Sequence, residues 1–523
     1  MKRNLLSAAA GIALSVGMLA GCAPTMAVPE AAATATPVTA TISASAAASE
    51  TTEPAVKTPK YVFLFLGDGM SHVQINAAQV FMGDNKPGEV AVKALNFTQF
   101  PVSGIATTYD STSFCPDSAS TATAISCGVK THSGVLGLNV DKKTRPVSIT
   151  ELLKAEGKKI GIISSVTINH ATPAAFYAHI ASRNDYYEIA LQMATSGFDY
   201  YGGGTFSQIT GKDGDRQSLF DVLKMCNYTV ADTKEAILAL DGNSPKVYAV
   251  SPVAQDSGAL PYAIDEKEGD LTLKDYVQKG IDVLDNEKGF FMMCESGKID
   301  WACHANDAMA AITDVISFQD AIQVAVDFAG AHPDDTLILV TGDHETGGMT
   351  IGYAATGYNT AFDILSHQKM SYVAFDTLIT SMKKANPKLT FADVYPVIKE
   401  NFGLIAPDDA DAAVEENKGL VMTDFEYEKL LNSFKQSMLP SEKRATDAEA
   451  SLLYGTYDPL SVTLTHILNN KAGIGWTSYA HTGTPVPVYA MGAGAEAFGG
   501  SYDNTDIFKK LVEVCKLNTE QAA

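Results

Sequence analysis

The stretch Tyr61-Val-Phe-Leu-Phe-Leu-Gly-Asp-Gly-Met70 indicates the fold class of this 523-residue chain. Its first six residues form an unbroken apolar run, which predicts a strand covered on both faces, as in the middle of a parallel sheet. The next three residues, Gly67 to Gly69, predict a tight turn at the carboxyl end of that strand. Because α/β sheets bind ligands at this edge, Asp68 is the first candidate functional residue.

Similar apolar runs recur along the chain, with amphipathic stretches between most of them. The other predicted strands are Ile160–Ser165, Lys246–Ser251, Phe290–Cys294, Thr336–Val340 and Val486–Met491, the last of the series. Predicted helices include Ser148–Glu156, Leu273–Leu284 and Ala308–Ala329. This alternation predicts an α/β fold with a large, mostly parallel central sheet and helices on both faces.

The pattern changes at about residues 352–456, where helical periodicity continues without clear strands. Within this range, Thr423 and Glu426 have the spacing of a capping box and predict a helix that runs to about Leu439. We interpret the range as a helical subdomain inserted into one α/β domain, which spans residues 59–523.

The N-terminus has the pattern of an export signal, because Lys2 and Arg3 precede a short apolar stretch that ends in small residues. Leu19-Ala-Gly-Cys22 resembles the bacterial lipobox, in which the cysteine is acylated. Residues 1–21 are therefore predicted to be a lipoprotein signal peptide, with a plain secretory signal as the alternative. Residues 22–58 lack aromatic residues and predict a disordered tether. The expected location is outside the cytoplasm, lipid-anchored to the cell envelope in the periplasm or at the cell surface.

Composition limits the partners and the state of the cysteines. A net charge of −22 argues against nucleic-acid binding, which needs a basic surface. An acidic protein that acts on an anion needs local positive charge, and bound metal ions supply it. The six cysteines after Cys22 lack CxxC spacing, so most are expected to be buried free thiols, although a Cys115–Cys127 disulfide stays open.

Several carboxylates and imidazoles follow predicted strands and are candidate metal ligands. Glu295 follows one strand, and the adjacent pair Asp343-His344 follows another. Asp300 and His304 are four residues apart, so a helix would place both on one face, where they can bind one ion. A structural ion pair is the alternative for these two residues.

Ser118 is the candidate nucleophile, because it follows Asp117 at the start of a helix rich in small residues. Free backbone N–H groups and the positive end of the helix dipole favour phosphate binding and an ionised hydroxyl at this position. Both residues are also common helix caps, which is the alternative interpretation.

Seven segments resemble, in order, the motifs of the alkaline phosphatases. They are YVFLFLGDGM (61–70), PDSASTATA (116–124), GVKTHSGVLG (128–137), INHATPAAFYAH (168–179), ESGKIDWACH (295–304), VTGDHETGG (340–348) and AHTGTPVP (480–487). The resemblance runs from about Lys60 to the C-terminal region, and the conserved order makes it specific. It implies the alkaline phosphatase fold and metal-dependent hydrolysis of phosphate monoesters of broad range through a phosphoserine intermediate. The lipobox lies outside these motifs and adds the expectation of a bacterial, lipoprotein-anchored form.

The resemblance also implies roles for particular residues. Ser118 would be the nucleophile and a metal ligand. The zinc that activates the Ser118 hydroxyl would be bound by Asp68, Asp343 and His344. A second zinc, which polarises the ester and later activates water, would be bound by Asp300, His304 and His481, the last just before the final predicted strand. A magnesium would be bound by Asp68, Thr172 and Glu295.

Four further residues would contact substrate. Arg183 would bind two phosphate oxygens, and Asp117 would orient it. His170 and Trp301 occupy positions that vary within the family, and His170 implies that the third site accepts zinc or cobalt as well as magnesium. The family is often dimeric, so the expected partners are phosphomonoesters, the membrane through a lipid on Cys22, and a second copy of the chain.

Two alternatives stay open. One is a phosphodiesterase or sulfatase of the same superfamily, although Ser118 and Arg183 favour monoesters. The other is a surface lipoprotein that binds metal or phosphate without turnover, which would be expected to lack the nucleophile or a ligand.

Overall fold

The computed structural model describes residues 57–84 and 89–519. The predicted signal peptide, Cys22 and most of the predicted tether lie outside these residues. The strands are β1 (Tyr61–Gly67), β2 (Val102–Thr107), β3 (Lys159–Ser164), β4 (Tyr200–Gly203), β5 (Thr229–Ala231), β6 (Val247–Val250), β7 (Phe290–Ser296), β8 (Thr336–Gly342), β9 (Glu345–Thr346), β10 (Thr350–Ile351), β11 (Ile474–Gly475), β12 (His481–Thr482), β13 (Val486–Gly492) and β14 (Gly500–Asp503).

Helices connect most of these strands. They are α1 (His72–Met82), α2 (Ser118–Cys127), α3 (Ile149–Ala155), α4 (Ala171–Ala174), α5 (Tyr186–Thr195), α6 (Leu219–Met225), α7 (Lys234–Leu238), α8 (Leu273–Leu284), α9 (Lys298–His304), α10 (Ala308–Ala331), α11 (Tyr372–Ala385), α12 (Phe391–Phe402), α13 (Asp424–Met438), α14 (Ala448–Tyr454), α15 (Pro459–Ala472) and α16 (Thr505–Val514).

Ten strands form one sheet in the order β14-β2-β13-β8-β1-β7-β3-β4-β6-β5. Only β13 pairs antiparallel within this sheet, with β2 on one side and β8 on the other. The prediction of a large, mostly parallel sheet is therefore confirmed. β1 lies near the centre, pairs with β7 and β8, and is buried along its whole length, which explains its unbroken apolar sequence.

Successive side chains of β1 point to opposite faces of the sheet and enter two different apolar clusters. Phe63 and Phe65 belong to a cluster that contains α8 and α10, whereas Leu64 and Leu66 belong to one that contains α2 and α16. Helices thus cover both faces, as predicted. α10 is long and apolar enough to cross a membrane, but the ring of Phe318 lies 5.9 Å from that of Phe65, which is typical of a buried core helix.

The differences from the sequence-based predictions have local causes. β2, β4, β5 and β14 were not predicted, because they are short or half-exposed and lack long apolar runs. The strand at Val486 is followed by β14, so the prediction that it is the last strand was wrong. Helices α11 to α14 lie within residues 352–456, and their interpretation as an insertion stays a prediction. Among the described residues, six cysteines are free, including Cys115 and Cys127.

Candidate active site

Three central strands bring carboxylates to one edge of the sheet. β1, β7 and β8 are parallel, and their register places the end of β1 opposite the ends of both neighbours. Asp68 follows β1, Glu295 lies near the end of β7, and Asp343 follows β8. Because the carboxyl ends of parallel strands share an edge, these residues meet although they are far apart in the sequence.

Gly69 allows this edge to be tightly packed. Its φ is +71°, and a Cβ atom there would lie 2.8 Å from the Asp300 Cα and 2.9 Å from the Thr346 Oγ1. Its backbone N–H donates to the Asp343 Oδ1 at 3.2 Å. A side chain at this position would therefore separate α9 from the end of β1 and displace Asp68.

Ser118 begins α2 in a buried position and is only 2% exposed. Asp117 is the N-cap, and its Oδ1 accepts a hydrogen bond from the Ser120 N–H at 3.0 Å. All residues of α2 are buried, and their small side chains let the helix N-terminus approach the carboxylate edge. The Ser118 hydroxyl thus lies where helix N–H groups favour negative charge.

The first predicted ligand set surrounds His344. The His344 Nε2 lies 3.4 Å from the Asp68 Oδ1 and 3.3 Å from the Asp343 Oδ2. It also lies 3.1 Å from the Ser118 Oγ. Thr121, one turn further along α2, donates to the Asp343 Oδ2 at 3.2 Å and orients that carboxylate. The structure brings this set together beside the hydroxyl of Ser118.

The second set brings two imidazole nitrogens and a carboxylate close together. The His304 Nδ1 lies 2.6 Å from the Tyr479 carbonyl oxygen, and the His481 Nδ1 lies 2.6 Å from the Pro116 carbonyl oxygen. Since a carbonyl only accepts, each Nδ1 carries a proton, which leaves the Nε2 of each ring as the nitrogen that can bind a metal ion. These two Nε2 atoms are 3.0 Å apart, and the Asp300 Oδ1 lies 3.4 Å from that of His304. These three atoms can thus bind one metal ion, and the two carbonyl groups hold the rings in the orientation that this requires.

The third set contains Asp68, His170 and Glu295, whose ligand atoms lie within 4.8 Å of one another. Thr172 joins it by donating to the Asp68 Oδ2 at 3.2 Å, and Ser164 donates to Glu295. Three buried atoms here have no hydrogen-bond partner, namely the Asp68 Oδ1, the His170 Nδ1 and the Glu295 Oε1. Unpaired buried polar atoms are costly, so this set also fits a bound cation.

The electrostatics of the cluster lead to the same conclusion. Burial, together with the nearby Asp343, raises the pKa of Asp68 well above its usual value. Burial also raises the pKa of Asp343 and of Glu295 to about 7. Burial lowers the pKa of His344 and His481, so these rings are neutral ligands. Crowded carboxylates and neutral imidazoles are a donor set that divalent cations stabilise.

Arg183 contributes a positively charged side chain to the site. Its Nη1 donates to the Asp117 Oδ2 at 2.8 Å, and its Nη2 lies 3.4 Å from the His170 Nε2. Burial would raise the pKa of Asp117, but the charge of Arg183 and the hydrogen bonds from Arg183, Gly134 and Ser120 together lower that pKa. Trp301 lies next to this group, with its ring 5.7 Å from that of His170. Every sequence-predicted site residue thus lies in or beside one cluster.

A family model described as alkaline phosphatase matches residues 59–517 of the chain. This chain belongs to the alkaline phosphatase family. Alkaline phosphatase 3 of Bacillus subtilis is 31% identical over 88% of this chain and 89% of its own length. Metal binding and the hydrolysis of phosphate monoesters follow from membership of the family.

Two solved alkaline phosphatase structures are similar to this one. The cold-active enzyme of a psychrophilic Shewanella is 28% identical, with a TM-score of 0.68 over 87% of this chain and 99% of that one. A variant of the enzyme from the Antarctic bacterium TAB5 has Glu in place of a histidine and is described with Mg bound in the M3 site. It is 26% identical, with a TM-score of 0.59 over 88% of this chain and 99% of that one.

The cluster of predicted site residues opens into a cavity of about 600 Å³. Besides the predicted residues, the cavity is lined by Asp256, Tyr372, Thr456, Tyr457 and Tyr479. No motif or strand end marked these residues in the sequence, because they lie in loops and helices of the less regular part of the chain.

Thr346 is a further site residue that was not predicted from the sequence, and its hydroxyl donates to the Asp300 Oδ1 at 2.5 Å. Its position within the motif VTGDHETGG was the available signal. Thr346 lies in β9, and its hydrogen bond orients the carboxylate of Asp300. Residues that hydrogen-bond to metal ligands commonly have this role.

Proposed function

We propose that the chain hydrolyses phosphate monoesters through a phosphoserine on Ser118. The observation that carries this proposal is the place of the Ser118 hydroxyl, at the N-terminus of α2 and 3.1 Å from the His344 Nε2. It thus lies beside the first ligand set and lines the same cavity as Arg183 and His481. A nucleophile, an anion-binding arginine and cation ligands are what phosphoryl transfer to serine needs.

We propose two zinc ions and one magnesium ion as the cofactors, with the third site also open to zinc or cobalt. Asp68, Asp343 and His344 would bind the first zinc, and Asp300, His304 and His481 the second. Asp68, Thr172 and Glu295, with His170 beside them, would bind the third ion. When bound, these ions favour the ionised hydroxyl of Ser118 and neutralise charge on the phosphoryl oxygens and the leaving alcohol.

The residues of the chain perform the remaining work. Arg183 binds two equatorial phosphate oxygens with its planar fork, and Asp117 holds the guanidinium in place. The N–H groups at the start of α2 face the transferred phosphate. Ser118 attacks phosphorus with loss of its hydroxyl proton, and the bond from phosphorus to the alcohol oxygen breaks on the opposite side, so that the alcohol takes up a proton and leaves into the cavity. Water then attacks phosphorus from the side that the alcohol left, the bond to the Ser118 Oγ breaks, and inorganic phosphate leaves with the Ser118 hydroxyl restored.

Comparing turnover of a monoester and a diester of one chromogenic alcohol tests this function. We expect a strong preference for the monoester, because two of its three unesterified oxygens would contact Arg183 and the third would face the proposed cation ligands, where a diester carries its second alkoxy group. A preference for the diester would overturn the proposal.

Arg183→Ala should weaken inhibition by inorganic phosphate by at least roughly 100-fold, because each of two hydrogen bonds to a charged group contributes about 1.5–3 kcal/mol. Arg183→Lys should give an intermediate loss, because it keeps the charge but not the fork. The measurement is the inhibition constant of phosphate. Arg216→Ala is the matched control, since Arg216 stacks on Tyr187 instead. An unchanged constant in Arg183→Ala would remove Arg183 from the site.

His170→Asp should shift the third site towards magnesium, because a hard carboxylate oxygen replaces an imidazole nitrogen. The TAB5 variant described with Mg bound supports this expectation. After dialysis against equal magnesium and zinc, the magnesium content relative to zinc should rise by about tenfold. His367→Asp, at an exposed position, is the control. An unchanged metal ratio in His170→Asp would contradict the assignment.

We also propose that the protein is exported and anchored to the cell envelope by a lipid on Cys22, with residues 22–58 as a tether. The lipobox-like sequence Leu19-Ala-Gly-Cys22 supports this proposal. Cys22→Ser should move the enzyme from the membrane fraction to the soluble exported fraction, whereas Cys226→Ser should not. Membrane association that survives in Cys22→Ser would refute the lipid anchor. The proposed homodimer is tested by sedimentation.

A further inference from the structure

The outer wall of the active-site cavity consists of residues that the proposed chemistry does not use. Asp256, Tyr372, Tyr457 and Tyr479 line the cavity together with Ser118. A second hollow of about 480 Å³ is also lined by Asp256, Tyr372 and Tyr457 and so adjoins the first. A substrate whose phosphate lies at Ser118 therefore directs its leaving group along this wall.

Two of these tyrosines pack as a nearly perpendicular pair. The ring centroids of Tyr372 and Tyr457 are 5.6 Å apart, and the rings are nearly perpendicular at 87°. Tyr479 extends this surface, with its centroid 6.3 Å from that of Tyr457. Two parallel rings would suit a flat base, whereas perpendicular rings suit a compact, rounded group. Aromatic rings attract cations, and cages of this kind bind quaternary ammonium groups.

The charged side chains near Tyr372 and Tyr457 are mainly acidic. Asp256 lines both hollows, and Asp376 lines the outer one. Burial raises the pKa of Asp376 to about 7, with smaller contributions from Asp458 and Asp256, so this carboxylate is negatively charged at alkaline pH. The positive charge of Arg444 also acts on Asp376, but its Nη2 pairs with the Asp458 Oδ2 at 2.9 Å.

Lys298 does not reverse this balance. It is fully buried, and its Nζ lies 3.5 Å from the centroid of the Tyr262 ring and 3.6 Å from the Asp256 Oδ2. Asp265 and Asp314 also act on it electrostatically, so three carboxylates surround one ammonium group. Lys298 does not line either hollow.

We propose that Asp256, Tyr372 and Tyr457, here called the aromatic corner, form a leaving-group subsite that selects phosphomonoesters of ammonium-bearing alcohols. The inference rests on the proposed function and adds the substrate class. Arg183 and the metal ligands make one end of the cavity suited to an anion, and the aromatic corner makes the other end suited to a cation. A zwitterionic ester satisfies both ends at once.

The test compares two substrates of the same shape. Phosphocholine carries a trimethylammonium group, and dimethylbutyl phosphate is its neutral isostere, in which carbon replaces nitrogen. For the metal-loaded wild-type enzyme, we expect kcat/KM to be about tenfold higher for phosphocholine, the scale of one partly desolvated cation–π contact with a nearby carboxylate. The ratio removes effects that are common to both esters.

Tyr457→Leu should bring this ratio close to one, because it removes one wall of the corner. Tyr457→Phe keeps the ring and should keep most of the preference. Asp376→Asn should lower the ratio to a smaller extent, because it removes a more distant charge. Tyr358→Leu is the matched control, since Tyr358 is fully exposed and lies outside the cavity, and its ratio should equal that of the wild type.

The outcomes separate the subsite from the reaction. A wild-type ratio near one, or a ratio that Tyr457→Leu leaves unchanged, would overturn the aromatic corner while turnover of both esters still supports the proposed function. Absence of turnover of either ester by metal-loaded enzyme would overturn both. A tenfold preference that depends on the Tyr457 ring would establish the subsite.

Discussion

Ser118→Ala should lower kcat for phosphate monoesters by at least about a thousandfold, because no other group can form the covalent phosphoryl intermediate. Acid-quenched wild-type enzyme should retain radioactive phosphate from substrate, whereas the variant should retain none. The metal content should not fall, since the carboxylate and histidine ligands remain. The hydroxyl is buried next to His344, so its loss should cost at most about 1 kcal/mol of stability.

Ser126→Ala is the matched control for this experiment. Ser126 lies two turns further along α2, and its hydroxyl donates to the Ala175 carbonyl oxygen at 2.7 Å. Its loss should cost about 1 kcal/mol of stability and leave kcat close to that of the wild type. Wild-type turnover in Ser118→Ala with its metals bound would eliminate the phosphoserine mechanism.

Removal of the metals by a chelator should abolish turnover and lower the Tm, and zinc plus magnesium should restore both. Without cations, the buried carboxylates of Asp68, Glu295 and Asp343 are crowded together without their compensating charge. Cations that bind only the folded state stabilise it by mass action. Full activity after exhaustive dialysis against chelator would contradict a metal-dependent reaction.

The metal-free protein should also become less stable as pH rises. Burial raises the pKa of Asp343 from 3.8, and that of Glu295 from 4.5, to about 7 in the folded state. Between these values the folded state binds more protons than the unfolded state, so the free energy of unfolding falls as pH rises from about 4 through about 7.

The measurement is the Tm of the chelated and the metal-loaded protein at each pH. Bound cations hold the carboxylates in their charged form and should remove this trend, so the difference between the two Tm values should widen with pH. A Tm of the chelated protein that rises across this window would show that the carboxylates are not crowded.

Local sequence patterns determined the framework of the protein. The apolar run of β1 can be buried only in the middle of a sheet, and the turn after it places Asp68 at the edge, so both follow from short segments. The helix start at Ser118 and the shared helix of Asp300 and His304 are equally local. Strands such as β2 and β14 could not be predicted, because they have no long apolar run in their own sequence. Each becomes a strand by pairing with a distant segment of the chain.

Residue types and ordered motifs marked the candidate ligands, but the sequence alone could not place them around common points. The opposed Nε2 atoms of His304 and His481 arise because two distant carbonyl groups orient the rings, and the carboxylates crowd because three parallel strands end together. The residues of the aromatic corner come from separate loops and helices, and no periodic pattern in the sequence links them. Periodic patterns report which face of an element is buried, whereas contacts between irregular segments depend on how the whole chain packs, so only the tertiary structure decided them.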